Sequence, residues 1–271
     1  MSDRLRLTIL GCGSSPGTPR ITGDWGQCDP ANPRNRRTRA SALVERIGPS
    51  GTTRVVIDTG PDFREQMLAA GVRRLDGAVY THAHADHIHG IDDLRGYVIE
   101  QRRLMDVWAD DATMGRLHEA FGYCFATPAG SSYPPILRDH RIVHGEPFAV
   151  TGEGGEIVFE PLPQIHGDIV SLGFRIGSLA YCADVSDFPD ATAERLKGLD
   201  LLVLDALQYR THPSHLSLDQ ALDWIDRLDA KRALLTHMHI PLDYDTVARM
   251  TPDNVTPAHD GLVLEFDYPA A

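Results

Sequence analysis

Residues 81–90 read Thr-His-Ala-His-Ala-Asp-His-Ile-His-Gly, and this stretch constrains the chain more than any other. Four of the thirteen histidines fall within eight positions here, with an aspartate among them. The short apolar run from Gly77 to Tyr80 predicts a buried strand that ends at the histidines. His82 and His84 are two apart, so an extended backbone points both imidazoles to one side. Asp86 and His87 lie on the turn beyond them and can face a neighbouring point. Two adjacent groups of imidazole and carboxylate ligands are what a pair of divalent metals requires. A solvated polar turn is the plainer alternative, and the density of ligands argues against it.

The rest of the chain alternates strands and helices. Leu5–Leu10 alternates apolar and polar residues like a first strand, broken by Gly11-Cys12-Gly13-Ser14-Ser15-Pro16-Gly17. No Gly-Lys-Ser/Thr comes after it, so this is not a nucleotide P-loop; it is either a plain turn or a loop lining a site, with Ser14 its candidate contact. Ala40–Ile47 and Arg54–Ile57 pair as a hairpin, and Asp62–Ala70 is a helix. Helical patterns run from Gly90 to Leu104 and over Asp111–Phe121, around a strand at Met105–Trp108. In the second half, strands at Glu156–Leu162, Leu172–Ile176, Leu179–Cys182, Leu201–Leu204, Ala233–Leu235 and Leu262–Phe266 flank an amphipathic helix marked by Leu218, Ala221, Leu222, Ile225 and Leu228. His82, His166, Asp184 and His237 each stand just beyond the end of an apolar strand. Ligands of α/β architectures collect at such ends, so one surface is expected to carry all four.

The net charge of −12 argues against broad nucleic-acid binding, which draws on lysine and arginine contacts to phosphates. It leaves room for a small anionic substrate held by metals and a local basic patch. Arg34, Arg36, Arg37 and Arg39 form the one dense basic cluster. A solvated face is the commoner role for such a run, and contact with a distal phosphate is the alternative for Arg34, Arg36 and Arg37. No apolar run approaches the roughly 18 residues of a membrane-spanning helix. The N-terminus lacks a signal-peptide pattern, and Cys12, Cys28, Cys124 and Cys182 are widely spaced, which together suggest a reduced, cytoplasmic compartment. The length fits one domain over residues 1–271.

The run His82-x-His84-x-Asp86-His87, with His166, Asp184 and His237 after it in that order, resembles the metallo-β-lactamase superfamily. The resemblance implies an α/β fold: an αββα sandwich of two mixed sheets flanked by helices, with the metals at one edge. It further implies that His82, His84 and His166 hold one metal, that Asp86, His87 and His237 hold the second, and that Asp184 bridges them. Two divalent cations roughly 3.5–4 Å apart lower the pKa of water toward about 7, which suits hydrolysis at neutral pH. Zinc or manganese is expected, with iron also compatible with nitrogen and carboxylate donors.

Gly11-Cys12-Gly13-Ser14 after the first strand, His215 before the late helix, and the Asp260-Gly261 pair are similar to the PhnP group, phosphodiesterases that open five-membered cyclic phosphates such as phosphoribosyl 1,2-cyclic phosphate. By that resemblance His215 is the general acid for the leaving alkoxide or a stabiliser of phosphoryl charge, and with Asp86 it completes the catalytic set; His212 is a weaker competitor. Ser217 and Gln220 fit a helix capping box directly after it. PhnP holds a structural zinc through a cysteine cluster in the loop after strand one. Here that loop has Cys28 alone, so no structural zinc is expected. The expected activity is metal-dependent hydrolysis of small, cyclic phosphodiesters, cyclic nucleotides included, with a homodimer common among related proteins. The alternatives are a tRNA 3′-processing endoribonuclease, for which this acidic chain lacks a long basic arm; a superfamily lactonase or thioesterase, which has no evident need for the arginine cluster; and a non-catalytic protein resembling PqqB, against which a full set of seven ligands argues.

Overall fold

The structure, a computed structural model, describes residues 3–268. It holds two seven-stranded mixed sheets and flanking helices. The chain divides into two compact units, one built from Ser41–Val158 and the segments at both chain ends, the other from Gly11–Ala40 and Phe159–Leu262.

The first sheet contains β1 (Arg4–Gly11), β2 (Ser41–Gly48), β3 (Gly51–Ile57), β4 (Gly77–Val79), β5 (Met105–Ala109) and β6 (Leu137–Arg141) in spatial sequence, with the last strand of the chain, β14 (Val263–Asp267), paired antiparallel to β1. β2 and β3 form the expected hairpin. β3, β4 and β5 then run parallel, with Ile57 opposite Val79 and Val79 opposite Trp108, so these strands end at a common level. Strands of this kind, covered on both faces, read as apolar runs. Tyr80, Val56, Phe63, Ile88 and Leu94 share one buried cluster with residues of the helices α1 (Phe63–Ala69), α2 (Ala85–Ile88) and α4 (Asp111–Phe125), against which the partly buried Tyr97 and Val98 of α3 (Arg95–Gln101) pack. The first turn after Gly90 is a 3-10 helix, Ile91–Leu94, leading into α3. The Asp110 carboxylate accepts the Thr113 N–H and caps α4, which continues past a break at Phe121 to Phe125, further than its apolar pattern suggests.

The second sheet runs β13–β12–β11–β10–β9–β8–β7, namely Val255–Pro257, Ala233–Thr236, Leu201–Asp205, Leu179–Cys182, Ile169–Ile176, Gly155–His166 and Phe148–Gly152. Its centre is a parallel array in which Cys182 pairs with Leu204 and Asp205 with Thr236. The helices here are α5 (Asp190–Arg195), α6 (Leu218–Arg227) and α7 (Tyr244–Met250). α6 begins with the expected capping box: the Ser217 hydroxyl accepts the Gln220 N–H, and the Gln220 side chain accepts the Ser217 N–H. Its buried face is Leu218, Ala221, Trp224 and Ile225. Leu222 is only half-buried, so the stripe is rotated toward the tryptophan. His166 is the last residue of β8 rather than a residue beyond it. No helix among the described residues is long and apolar enough to cross a membrane.

Candidate metal centre

In the first unit, β4 delivers its chain to Thr81 and the histidine run. Asp58, at the end of the neighbouring parallel strand, organises that run. Its carboxylate accepts the Thr81 N–H at 2.9 Å and the Thr81 hydroxyl at 2.8 Å. It also takes the Nδ1–H of His87 at 2.7 Å. An imidazole that donates through Nδ1 to a carboxylate presents Nε2 as its ligand atom, with the ring orientation set. Burial pushes the Asp58 pKa up, opposed by the charge and hydrogen bond of His87 and by the Thr81 bonds. α2 then carries Asp86, whose Oδ2 stands 3.5 Å from His87 Nε2. His82 Nε2 and His84 Nδ1 converge to 2.9 Å, and His84 is the more exposed member of the pair. Backbone bonds lock the segment in place: the Thr59 N–H donates to His87 O and the Gly90 N–H to Thr59 O. A Cβ at Gly90 would lie 2.2 Å from Gly60 O, so only glycine fits this close approach.

In the second unit, ligand types arrive one at a time from separate strand ends. Asp184 comes after β10, and its Oδ1 lies 3.7 Å from His166 Nε2, 3.4 Å from His237 Nε2 and 4.0 Å from His215 Nε2. Three imidazoles thus gather on one buried carboxylate oxygen. Two of the rings have a support on the far nitrogen. His166 Nδ1 donates to Ser214 O at 2.6 Å, and His215 Nδ1 donates to Asp205 Oδ2 at 2.6 Å. His215 stacks on the third ring, His237, with centroids 4.7 Å apart and an interplanar angle of 12°. The same Asp205 oxygen accepts the Val185 N–H, tying the His215 loop to the turn that carries Asp184. His212 is exposed and 5.2 Å from His215 between centroids; burial, then the charge of His215, lowers its pKa.

Asp58, Asp184 and His237 all have left-handed backbones, with φ of 64°, 55° and 57°. Aspartate and histidine are among the side chains that tolerate this region, and such residues cluster at functional sites because the surrounding structure holds them there. The donor chemistry within each unit fits divalent metals: imidazoles oriented by acceptors on their far nitrogens, beside carboxylates. Asp58, Asp205 and Ser214 are supporting residues that motif reading passes over. Strand-end position was a usable signal for both aspartates; nothing in the sequence marks the Ser214 carbonyl.

The loop candidates fare differently. Arg37 is 2% exposed, and its guanidinium donates to Leu242 O at 2.6 Å and Asn35 Oδ1 at 3.2 Å. It is an internal strut rather than a surface contact for phosphate, which sequence alone could not separate from its neighbours. Arg34 is exposed and stacks over the Tyr244 ring at 4.9 Å, and Arg36 is exposed. Ser14 is buried, and its hydroxyl pairs with His239 Nδ1 at 2.8 Å. His239 Nε2 accepts from Arg20 at 2.6 Å; burial, then the Arg20 charge, pulls its pKa down to about 4. The Cys28 thiol sits against Ile240 O, Leu242 O and the Arg37 guanidinium. Asp260 accepts the Cys12 N–H, the Thr38 N–H and the Thr38 hydroxyl, so the Asp-Gly pair pins the loop after β1.

The β-lactamase superfamily domain model matches residues 53–238. The chain belongs to the metallo-β-lactamase superfamily, in its PhnP-like branch. A solved diphosphatase of the PhnP family is 39% identical and superposes with a TM-score of 0.87 over 97% of both chains. An octanoyltransferase of Porphyromonas gingivalis is 34% identical over 268 residues, which are 97% of this chain and 52% of that protein. The chain therefore spans about half the length of that relative. Coenzyme PQQ synthesis protein B of Xanthomonas oryzae is 24% identical over 280 residues, 93% of this chain and 86% of that one. The fold is the αββα sandwich of the superfamily, and family membership implies that the chain binds divalent metal.

Proposed function

We propose that this protein is a phosphodiesterase that uses two divalent cations to hydrolyse small, cyclic phosphodiesters. The observation that carries the reading is the Asp184 carboxylate with three imidazoles around one oxygen, one of them backed by a second buried carboxylate. His82, His84 and His166 are assigned to one cation, Asp86, His87 and His237 to the other, and Asp184 to both. When bound, the cations supply Lewis acidity and make water nucleophilic near neutral pH.

The protein's own residues then divide the work. Asp58 holds His87 with Nε2 outward, and Ser214 does the same for His166. His215 stands apart from the six terminal ligands because Asp205 fixes its Nδ1 and leaves Nε2 as the atom that exchanges a proton. That makes His215 the general acid for the departing oxygen, and Asp205 its positioning residue. Asp86, on the first turn of α2, keeps the carboxylate of the second ligand group beside His87. The relative at 39% identity is a diphosphatase, so linear diphosphates belong beside cyclic diesters in the substrate panel. His215→Ala should lower turnover of a cyclic phosphodiester by about 10²- to 10⁴-fold while leaving metal content at the wild-type level. Loss of metal in parallel with activity would instead make His215 a ligand, a role its place beside Asp184 and His237 also permits.

A further inference from the structure

Gln164 lies two residues before His166 on β8, and it is completely buried within the second unit. Its partner across the β8–β9 ladder is Ser171, which is also completely buried. Continuing the β9–β10 register past its pair Tyr181 and Phe174 brings Ser171 opposite Asp184. One line of polar residues thus crosses three strands and ends at the turn that carries the carboxylate.

The hydrogen bonds along this line run in one direction. A carbonyl only accepts, so a 3.0 Å contact with Ala183 O fixes Gln164 Nε2 toward the Asp184 turn. The Ser171 hydroxyl gives its one proton to Asp184 O at 2.7 Å and accepts from Gln164 Nε2 at 3.2 Å. Ala183 and Asp184 both lie beyond the end of β10, where side chains take over from the backbone ladder. They do so at the residue whose backbone is left-handed, Asp184 with φ of 55°. From the other side, Asp205 holds the same turn through the Val185 N–H.

Sheet stability alone does not explain this amide. Gln164 Oε1 is buried without a hydrogen-bond partner among the described residues, a cost that an apolar side chain would avoid. Gly173, inside β9, makes room for it: a Cβ there would lie 2.6 Å from that oxygen. Glycine weakens a strand interior and often marks such a close approach. We propose that Gln164 and Ser171 are positioning residues for cation binding, holding the Asp184 carboxylate at its spacing from His166 on the same β8 strand that carries Gln164. This rests on the two-cation part of the proposed function and is independent of the substrate.

Ser171→Ala and Gln164→Met test it on the full chain, with Thr192→Val as the control. Thr192 is buried, and its hydroxyl donates to Pro163 O at 2.7 Å. Its loss therefore removes a similar bond to the same strand without touching the Asp184 turn. In chelator competition with manganese or zinc, both test variants should bind metal about 10- to 100-fold more weakly than wild type, and Thr192→Val should match wild type. The double variant should lose little more than the weaker-binding single one, because the two side chains act in series. In the metal-free protein, hydrogen exchange at the Val185 amide should quicken about tenfold in Ser171→Ala and stay unchanged in Thr192→Val. Wild-type metal affinity together with wild-type Val185 exchange in Ser171→Ala overturns the proposal. So does an equal loss of metal affinity in Thr192→Val, which would mean a general loosening of the sheet. If wild type holds no divalent cation while Ser171→Ala still quickens Val185 exchange, the clamp on the turn stands and the two-cation reading falls.

Discussion

The two units present the side chains proposed to bind metal in opposite ways. The first unit offers His82, His84, Asp86 and His87 from one continuous segment, at the end of a single strand. The second assembles His166, Asp184 and His237 from three strand ends, and adds His215 from the loop before α6. A continuous segment needs one organising group, and Asp58 is that group, bonded to Thr81 and His87 together. A dispersed set needs several: Ser214 O for His166, Asp205 for His215 and the Asp184 turn, and left-handed backbone at Asp184 and His237. One kind of buried carboxylate therefore serves two proposed ends: Asp58 orients His87, the proposed ligand, and Asp205 orients His215, the proposed proton donor.

Substitutions can break that comparison at graded strengths. Asp184→Ala removes the oxygen on which the dispersed set converges. It should cost more turnover than the roughly 100-fold upper end for outer-shell partners, and retained metal, measured by elemental analysis, should fall with it. Asp58→Asn and Asp205→Asn are the matched pair, each expected to cost about 10- to 100-fold. For Asp58→Asn the loss should appear as weaker metal affinity in a chelator competition, with turnover restored at high metal concentration. For Asp205→Asn metal affinity should hold while kcat stays low at any metal concentration. Identical behaviour of the two variants would erase the distinction between the units.

The difference between the units also governs how much of the site is legible in the sequence. The first unit's candidate ligands are legible because a strand-turn-helix places neighbours in sequence as neighbours in space. His166, Asp184 and His237 look like scattered polar residues, and only the resemblance to a family assigns them. The strands that carry them, or that pair with those strands as Leu201–Asp205 does, are legible as apolar runs. β6 is not, because Leu137–Arg141 is mostly charged, with Arg138, Asp139 and Arg141 exposed and only Leu137 buried. Arg37 is illegible for another reason: a buried arginine satisfied by carbonyls has the same local sequence as a solvated one. The contrast between Arg37 and Arg34 depends on which backbone groups the fold leaves to be paired.

The smallest effect concerns the loop that Arg37 braces. Asp243 caps α7 through Thr246 and also accepts from the Asn35 side chain and the Asp29 N–H. Burial raises its pKa, but those hydrogen bonds outweigh it and draw it down to about 2 from an ordinary 3.8. A depressed carboxylate pKa stabilises the fold above pH 3.8, and that contribution disappears as pH falls through about 2. Asp243→Asn should therefore be less stable than wild type by about 1 kcal/mol at pH 7 in urea unfolding, with the gap narrowing below about pH 4. A gap that stays constant with pH would mean the cap works through shape alone.

The most direct measurement tracks metal content and hydrolysis on one sample. The protein is stripped with chelator and reloaded stepwise with manganese or zinc, while cleavage of a cyclic phosphodiester and a linear diphosphate is recorded. The expected result is no turnover in the stripped protein and recovery that completes at two metal equivalents per chain. Full turnover in the stripped protein, or two bound equivalents with neither substrate cleaved, would contradict the account.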